Sequence, residues 1–545
     1  MKRFKFLIAS VLGGILLWAT WPPSVFTFLI FIAWIPLLWV EDRVESWGKL
    51  FGLTYLHMLL WNILTTWWIW NASAVGALSA ILANSLIMCL PWLLMFFTKR
   101  KFGRWIGYSS LIIFWITFEY IHHNWELSWP WLTLGNAFAT HPDWVQWYEY
   151  TGTTGGSLWI LLVNILLYHL IKKRNIPSAA EGLPQAQQYS TINVQLSIIT
   201  LLILLMPLGI SFLVKPSIPS PQDPGVNQQQ VTSNIVIVQP NINPYIKFQT
   251  GEEESQLQKL ISLSESMIDS NTILVIWPET AIPVQSDEDQ LKENFFLNPV
   301  WAFLKRHPRI NLLSGLEGFR VFNKKNSIYS KEFPSQPGLF FEAYNSAVIF
   351  DSSSYNIYHK SKLVPGVETL PTFLYFMSSL FDKFGGTTGG YAKDKERKVL
   401  QASNSYLKIA PAICYESIYG DFTTGFIRKG ANIICVITND GWWGKTSGHR
   451  QHLNYARLRA VETRRWIARS ANTGISCFID PEGNIINPQP WDTASAIKMN
   501  VPVSDEQTYF VRNGDVLSRV FSVVSILLLL LNIFYWIKKR ISHKK

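Results

Sequence analysis

Charge is scarce in this 545-residue chain: Asp, Glu, Lys and Arg make up 16% of it, against 48% hydrophobic residues. An ordinary globular chain carries about 25% charged residues, so a wholly soluble protein is a poor fit. Cysteine is sparse too. The four, Cys89, Cys414, Cys435 and Cys477, have neither zinc-site spacing nor the density of a disulfide scaffold. Cys89 lies in an apolar span, and Cys435 and Cys477 lie in apolar strand-like runs, so these three read as core. Cys414 alone stands at a strand end. The apolar start after Lys5 lacks a small-x-small cleavage site; Thr20-Trp21-Pro22-Pro23 follows instead, so this segment reads as a retained span rather than a signal peptide. What the chain has in excess is tryptophan, 25 residues of it, as membrane proteins do in their interfacial belts.

Apolar spans are expected at about 6–18, 24–40, 50–70, 75–97, 106–121, 153–171, 195–214 and 519–537, several of them near the roughly 20 residues that cross a bilayer. The loops between them sort their charges. On one side lie Arg43 and Lys49, then Lys99, Arg100, Lys101 and Arg104, then Lys172, Lys173 and Arg174, and finally Lys538, Lys539, Arg540, Lys544 and Lys545. The segments 71–74 and 122–152 on the other side have no Lys or Arg. By the positive-inside rule about eight spans put both termini in the cytoplasm and 215–518 outside. Orientation then explains most of the formal charge of +11, and no nucleic-acid partner is implied. The outside loop 122–152 holds Trp125, Trp129, Trp131, Trp144, Trp147 and Tyr148, a composition suited to a water–lipid interface.

The expected organisation is a seven-span domain over 1–214, a Pro/Ser/Gln-rich linker over 215–233, an extramembrane α/β domain over 234–505 and a last helix over 519–537. In the α/β domain, strands are expected at 234–239, 272–277, 310–316, 344–350, 355–359, 407–413, 431–438 and 474–479. Helices are expected at 252–268, 288–306 and 449–466, with irregular insertions at 320–343 and 378–398. Pro411 places the strand before Cys414 near an edge or makes it irregular.

Three strand ends carry chemistry. Glu279 follows one strand, Lys360 closes another and Cys414 a third. Such residues can converge on one rim of a sheet. A glutamate can take a thiol proton and return it to a leaving group. A lysine beside the thiol is expected to lower its pKa and to stabilise an oxyanion.

Trp277-Pro278-Glu279-Thr280, Tyr358-His359-Lys360-Ser361-Lys362-Leu363 and Ile413-Cys414-Tyr415-Glu416 resemble, in order and spacing, the Glu-Lys-Cys motifs of the nitrilase superfamily. With the flanking spans, the chain resembles the apolipoprotein N-acyltransferase family over nearly its whole length. Val364-Pro365-Gly366-Val367-Glu368, Asn439-Asp440-Gly441-Trp442-Trp443-Gly444 and Arg469-Ser470-Ala471-Asn472-Thr473-Gly474 look familial as well. The resemblance implies a nitrilase-like α-β-β-α sandwich joined to an α-helical membrane bundle, in a bacterial cytoplasmic membrane with the sandwich in the periplasm. It also implies a reaction: Cys414 takes an acyl chain from a phospholipid, and the α-amine of a diacylglyceryl-cysteine at a lipoprotein N-terminus receives it. Glu279 would be base and acid, Lys360 the oxyanion partner, and Glu368, Tyr415, Glu416, Phe248 and Trp442 supporting or substrate-binding residues, without metal or cofactor. Lys362, Gly366-Val367 and Phe248 depart from the family pattern, where His, Phe-Gly and Trp are usual.

Two signals stand outside this scheme. His449 and His452, three apart, lack a third metal ligand. Arg450, Arg457, Arg459, Arg464, Arg465 and Arg469 read as a solvated helix face with local ion pairs. The alternative activity is a membrane-tethered amidase using water as acceptor. A non-catalytic transporter or receptor fits poorly, because the spans carry few intramembrane charges.

Overall fold

The computed structural model describes residues 2–174, 184–216, 232–248, 250–377, 390–394 and 396–542. Most of the expected linker 215–233 and residues 378–389 and 395 of the expected insertion lie outside these. The chain divides into one unit of Met1–Trp67, Ala77–Lys215 and Asp515–Lys545, and a second of Trp68–Gly76 and Pro216–Gly514.

The first unit is helical. Ala74–Phe102, Tyr148–Lys172, Val194–Leu213 and Val516–Ser542 are long and apolar enough to cross a membrane by length and composition; Phe4–Thr20 and Thr27–Glu41 are shorter apolar helices. At the expected spans 50–70 and 106–121 stand the 20-residue helices Trp47–Thr66 and Arg104–His123, which bury polar residues such as Asn62 and Glu119. An indole cluster forms the centre: Trp34 stacks on Trp92 at 5.5 Å and meets Trp115 edge-on at 4.8 Å. Asp42 accepts from the hydroxyls of Tyr108 (2.8 Å) and Tyr168 (2.7 Å) and pairs with Lys99 and Lys172.

The aromatic loop buries some of its rings and leaves others at the surface: Trp131 and Tyr148 are buried, and Trp125 is 37% exposed. Short 3-10 turns fold it inward, and Trp131, Leu134 and Phe138 are buried, Phe138 stacking on Trp159 at 5.0 Å. Glu119 accepts from the Leu134 amide (2.8 Å) and the Ser157 hydroxyl (2.7 Å), which satisfies backbone that no regular helix pairs.

The second unit contains β1 (Thr232–Gln239), β2 (Thr272–Ile276), β3 (Ile282–Asp287), β4 (Asn311–Phe322), β5 (Lys331–Phe333), β6 (Gln336–Phe350), β7 (Tyr355–His359), β8 (Leu400–Gln401), β9 (Lys408–Ile413), β10 (Ile433–Thr438), β11 (Ile467–Ala471), β12 (Cys477–Ile479), β13 (Ile485–Ile486) and β14 (Ser495–Pro502). One sheet runs β14-β1-β2-β4-β6-β5, with β3 on β4 and β7 on β6; the other runs β13-β12-β11-β10-β9-β8. The sheets pack through β1 on β11 and β6 on β9. Helices Glu253–Glu265 and Asn298–Arg306 bury Leu257, Leu260, Val300 and Phe303 against the first sheet, and Gly420–Arg428 and Ser447–Thr463 lie on the side of the second. The result is a helix–sheet–sheet–helix sandwich, the layering that buries the inner faces of two mostly apolar sheets.

Local chemistry explains the differences from expectation. The expected helix 288–306 begins only at Asn298, where Pro299 opens the first turn; before it the Asp287 side chain accepts the Asp289 amide (3.1 Å) and makes a turn. Within 320–343 only 323–330 and the turn at 334–335 are irregular: the flanks extend the β4–β6 pair as far as Phe322↔Phe340, and β5 pairs on β6. Pro411 pairs on one side with β10, and β8 reaches only Ile409 and Lys408 on the other, so the proline sits where its strand has become an edge.

Candidate functional site

Strands β2, β9, β10 and β11 deliver their C-terminal ends to one polar cluster, which holds Glu279, Cys414, Asp440 and Asn472. Antiparallel β7 ends beside them and supplies Lys360.

Glu279 and Lys360 are 7% and 1% exposed. Lys360 Nζ donates to Glu279 Oε1 (3.1 Å) and to Glu368 Oε1 (2.8 Å), so one ammonium is shared by two carboxylates. Asn345 joins the same pair, its Nδ2 donating to Glu279 (2.9 Å) and Glu368 (3.0 Å), while its carbonyl accepts the Lys360 amide (2.8 Å). The other Glu279 oxygen accepts the Asn439 amide (3.2 Å), and Glu368 Oε2 the Val364 amide (2.8 Å). Burial raises the Glu279 pKa, but Lys360, Asn345 and the Cys414 thiol outweigh it and hold the group below the usual carboxylate value. Burial likewise disfavours charge on Lys360, and Glu279, Glu368 and Cys414 together hold its pKa well above the usual value.

Cys414 is the one partly exposed cysteine among the four and sits at φ +48°, a left-handed conformation costly for any residue with a side chain. The expected lowering of its pKa does not occur. Burial first, and then the Glu279 charge, push the thiol well above its usual value, and Lys360 offsets only part of that. The resting pair is a thiol beside a carboxylate, which places Glu279 to accept the Cys414 proton.

The other expected residues fall into two groups. Glu416 is fully buried and braces the site: it accepts from Tyr358 Oη (2.6 Å) and the Ser361 amide (2.7 Å) on one segment and from the Ile413 amide (3.0 Å) on another. Burial pushes its pKa up to about 7 against those donors. Tyr415 is buried with its ring edge-on to Tyr419 at 5.2 Å. Phe248 and Trp442 are 47% and 37% exposed, Trp442 meeting Tyr245 edge-on at 5.3 Å. It is Trp443 that packs inward, against Trp68 at 4.8 Å and His452 at 5.4 Å.

Several participants escape a reading of the sequence alone. Asn345 is one. Lys247, 1% exposed, donates to the Glu279 carbonyl (3.0 Å) and the Thr280 hydroxyl (2.9 Å), and burial lowers its pKa to about 7 against Glu279 and Glu317. His452 joins Asp440 through Nδ1 (2.9 Å), and its Nε2 lies 3.1 Å from the Cys414 carbonyl and 2.9 Å from Ser417 Oγ. Asp440 also accepts from Arg469 (2.6 Å). The expected solvated basic face is therefore corrected: Arg459, Arg465 and Arg469 are at most 1% exposed, and Arg459 pairs with Glu462 at 2.7 Å. The available signal was a set of lysine, asparagine and arginine residues in otherwise buried elements, where they persist only when paired. His449 stacks on Trp491 at 4.2 Å. Among the described residues, no group of three or more His, Cys, Asp or Glu is arranged to hold a metal ion.

Residues 234–509 match the family model described as Carbon-nitrogen hydrolase, and residues 13–166 the one described as Apolipoprotein N-acyltransferase N-terminal domain. Curated relatives named apolipoprotein N-acyltransferase include that of Chlorobaculum tepidum, 28% identical over 94% of this chain and 93% of the relative. Those of Geobacter metallireducens (26%, over 95% and 93%) and Rickettsia prowazekii (28%, over 96% and 98%) match at similar length. Among solved structures, Saccharomyces cerevisiae Nit3, a member of branch 10 of the nitrilase superfamily, covers 50% of this chain and 90% of its own at 15% identity and a TM-score of 0.35.

Proposed function

The chain belongs to the carbon-nitrogen hydrolase family, and from that premise we propose that it is a membrane acyltransferase that moves a fatty acyl chain from a phospholipid to the N-terminal amine of a diacylglyceryl-cysteine. Full-length similarity to proteins named apolipoprotein N-acyltransferase, and a second match to that family's N-terminal domain, support transfer over the simple hydrolysis that the same cluster serves. The observation that carries the reading is the Cys414 thiol set against an ionised Glu279 that shares Lys360 with Glu368.

In the first half-reaction Cys414 Sγ bonds to the ester carbonyl carbon while its proton passes to Glu279. Lys360 faces the oxyanion. Collapse breaks the ester C–O bond, and Glu279 returns the proton to the departing lysophospholipid hydroxyl, leaving a thioester on Cys414. In the second half the amine attacks the thioester carbonyl and gives a proton to Glu279; the C–S bond breaks, and that proton returns to the thiol. Asn345, Lys247 and Glu416 hold the three segments that carry these groups.

The apolar helices and the transferase kinship make this a membrane protein. Loop charge supports cytoplasmic termini and a periplasmic domain in a bacterial inner membrane. The test is to incubate purified protein with acyl-labelled phospholipid and to look for the acyl mass on Cys414. A diacylglyceryl-cysteine peptide should then discharge it. An unmodified Cys414, together with turnover of a soluble amide, would reject transfer in favour of the amidase.

A further inference from the structure

A second ion cluster lies behind the strand that delivers Lys360. Side chains alternate along β7: Tyr358 reaches Glu416 and Lys360 reaches the two glutamates, so the residue between them, His359, faces the other way. His359 is 8% exposed. Its Nε2 lies 2.6 Å from Glu288 Oε2, and its Nδ1 lies 3.1 Å from Asp394 Oδ2, an ion-pair distance without hydrogen-bond alignment. The ring stacks on Tyr344 at 4.0 Å.

Neither end of this bridge is loose. Glu288 Oε1 accepts from Ser346 Oγ (2.5 Å), the Glu288 amide donates to the Phe319 carbonyl (2.9 Å), and the Glu288 carbonyl accepts from Tyr355 Oη (3.0 Å). Gly318 leaves room for this carboxylate: a Cβ there would lie 2.6 Å from Glu288 Cγ. Asp394 belongs to the segment in which the Tyr391 amide donates to the Glu368 carbonyl (2.9 Å) and the Ala392 amide to the Ala343 carbonyl (2.9 Å).

The partners matter for where they sit in the chain. Glu288 follows β3, which the chain enters directly from Glu279. His359 precedes Lys360. Asp394 lies on the stretch bonded to the backbone of Glu368. One imidazole thus ties together the segments that carry Glu279 and Lys360 and the stretch that is bonded to the backbone of Glu368. With a carboxylate at each nitrogen, the arrangement suits an imidazolium and suits neither neutral tautomer.

We propose that His359 is a positioning residue: as an imidazolium between Glu288 and Asp394 it holds Lys360 in register with Glu279 and Glu368. This rests on the reading of Glu279, Lys360 and Cys414 as the reacting groups. Electrostatics agree with the geometry. Burial disfavours the charge, but Asp394 and Glu288 overcome it and raise the His359 pKa to about 9. The other groups around it are Tyr344, which donates its hydroxyl to Glu342, and Arg320 and Lys398, which act on Asp394. A raised histidine pKa means the bridge is charged at neutral pH and is lost as pH rises through about 9, and the stability it adds is full below pH 6.5 and gone above about 9.

The test reads Cys414 reactivity rather than acyl transfer, so that the two proposals can fail separately. Full-length protein is alkylated with iodoacetamide from pH 6 to 10, and the Cys414 peptide is quantified against a free thiol peptide. In the wild type, relative reactivity should fall as pH passes about 9. His359→Gln, which keeps a donor without the charge, should cut the rate at neutral pH by about tenfold, the scale of a small misplacement, and should abolish that inflection. Asp394→Asn, at a side chain 47% exposed, should leave the fold intact and move the inflection down by about one pH unit. It carries the test if His359→Gln does not fold. A wild-type pH profile in either folded variant, even one with a lowered melting temperature, would overturn the proposal by reducing His359 to a packing role. If phospholipid leaves no acyl group on Cys414 while the alkylation profiles behave as stated, the acyltransferase reading fails and the positioning role stands.

Discussion

Replacing Glu416 by Gln should remove a pH dependence of stability that the fold carries at its centre. The carboxyl is fully buried, and its folded pKa of about 7 stands above the reference of 4.5. A glutamate raised in the folded state favours folding at low pH, where both states hold the proton. That contribution is lost as pH climbs through the folded value, because the unfolded chain ionises first. For one group titrating at those two values, the loss between pH 5 and pH 8 is on the order of 2.5 kcal/mol. In a domain of this size that corresponds to a fall of about 5 °C in the melting temperature. Gln has the same shape, does not titrate and still offers one acceptor to Tyr358 or the Ser361 amide. The assay is thermal melting of wild type and Glu416→Gln in one detergent across that pH range. The wild type should lose about 5 °C relative to the variant between the two ends. Parallel curves would show that Glu416 stays ionised throughout, with its donors outweighing its burial, and would refute the reasoning.

Other substitutions separate chemistry from scaffold. Cys414→Ser should abolish the acyl adduct, read by mass spectrometry after incubation with phospholipid, while membrane insertion stays at the wild-type level. Glu279→Gln removes the proton acceptor but keeps the hydrogen-bonding shape, so single-turnover formation of the thioester should slow by about 10²–10⁴-fold with little change in folding. Gly315→Ala should lower stability by roughly 2 kcal/mol or more, measured by denaturant titration, because the new Cβ would press on the Thr280 amide and lie 2.6 Å from Glu279 Cα.

Glu279, Lys360 and Cys414 could be picked out of the sequence because each sits in a short motif at the end of an apolar run, and strand ends are where a sheet exposes fixed side chains, whereas Glu368 is found only through the family resemblance. Asn345 sits inside a strand, and only the β6–β7 pairing, Ser346 opposite His359, aims it at the pair of glutamates. His452 carries no role in the sequence, because its partners Asp440 and Arg469 are brought to it only by the parallel pairing of β10 with β11. Within 122–152 composition does not distinguish the rings that pack inward, such as Trp131, from those that stay exposed, such as Trp125; the inward turn is made where Glu119 and Ser157 satisfy the backbone. Arg459 and Arg469 depart from a solvated face for a related reason. Their partners, Glu462 and Asp440, cannot be assigned by helical spacing alone when one of them lies on a different element.

The charge balance at Cys414 bears on how the site works. Glu279 is held ionised beside a thiol that is held protonated, so a free thiolate here would meet repulsion from Glu279 before any substrate arrived. Moving the thiol proton to Glu279 during attack creates no new charge: the negative charge shifts from oxygen to sulfur and then to the carbonyl oxygen. In the proposed mechanism, as Glu279 is neutralised its hold on the ammonium weakens, and Lys360, still anchored by Glu368 at 2.8 Å, is released toward the oxyanion. The second glutamate therefore does more than fill space: without it Lys360 would have no partner at the step when Glu279 carries the proton. Glu368→Gln should accordingly slow thioester formation and lower the Lys360 pKa together. A variant with an unchanged rate would show that Glu279 alone holds the lysine in place.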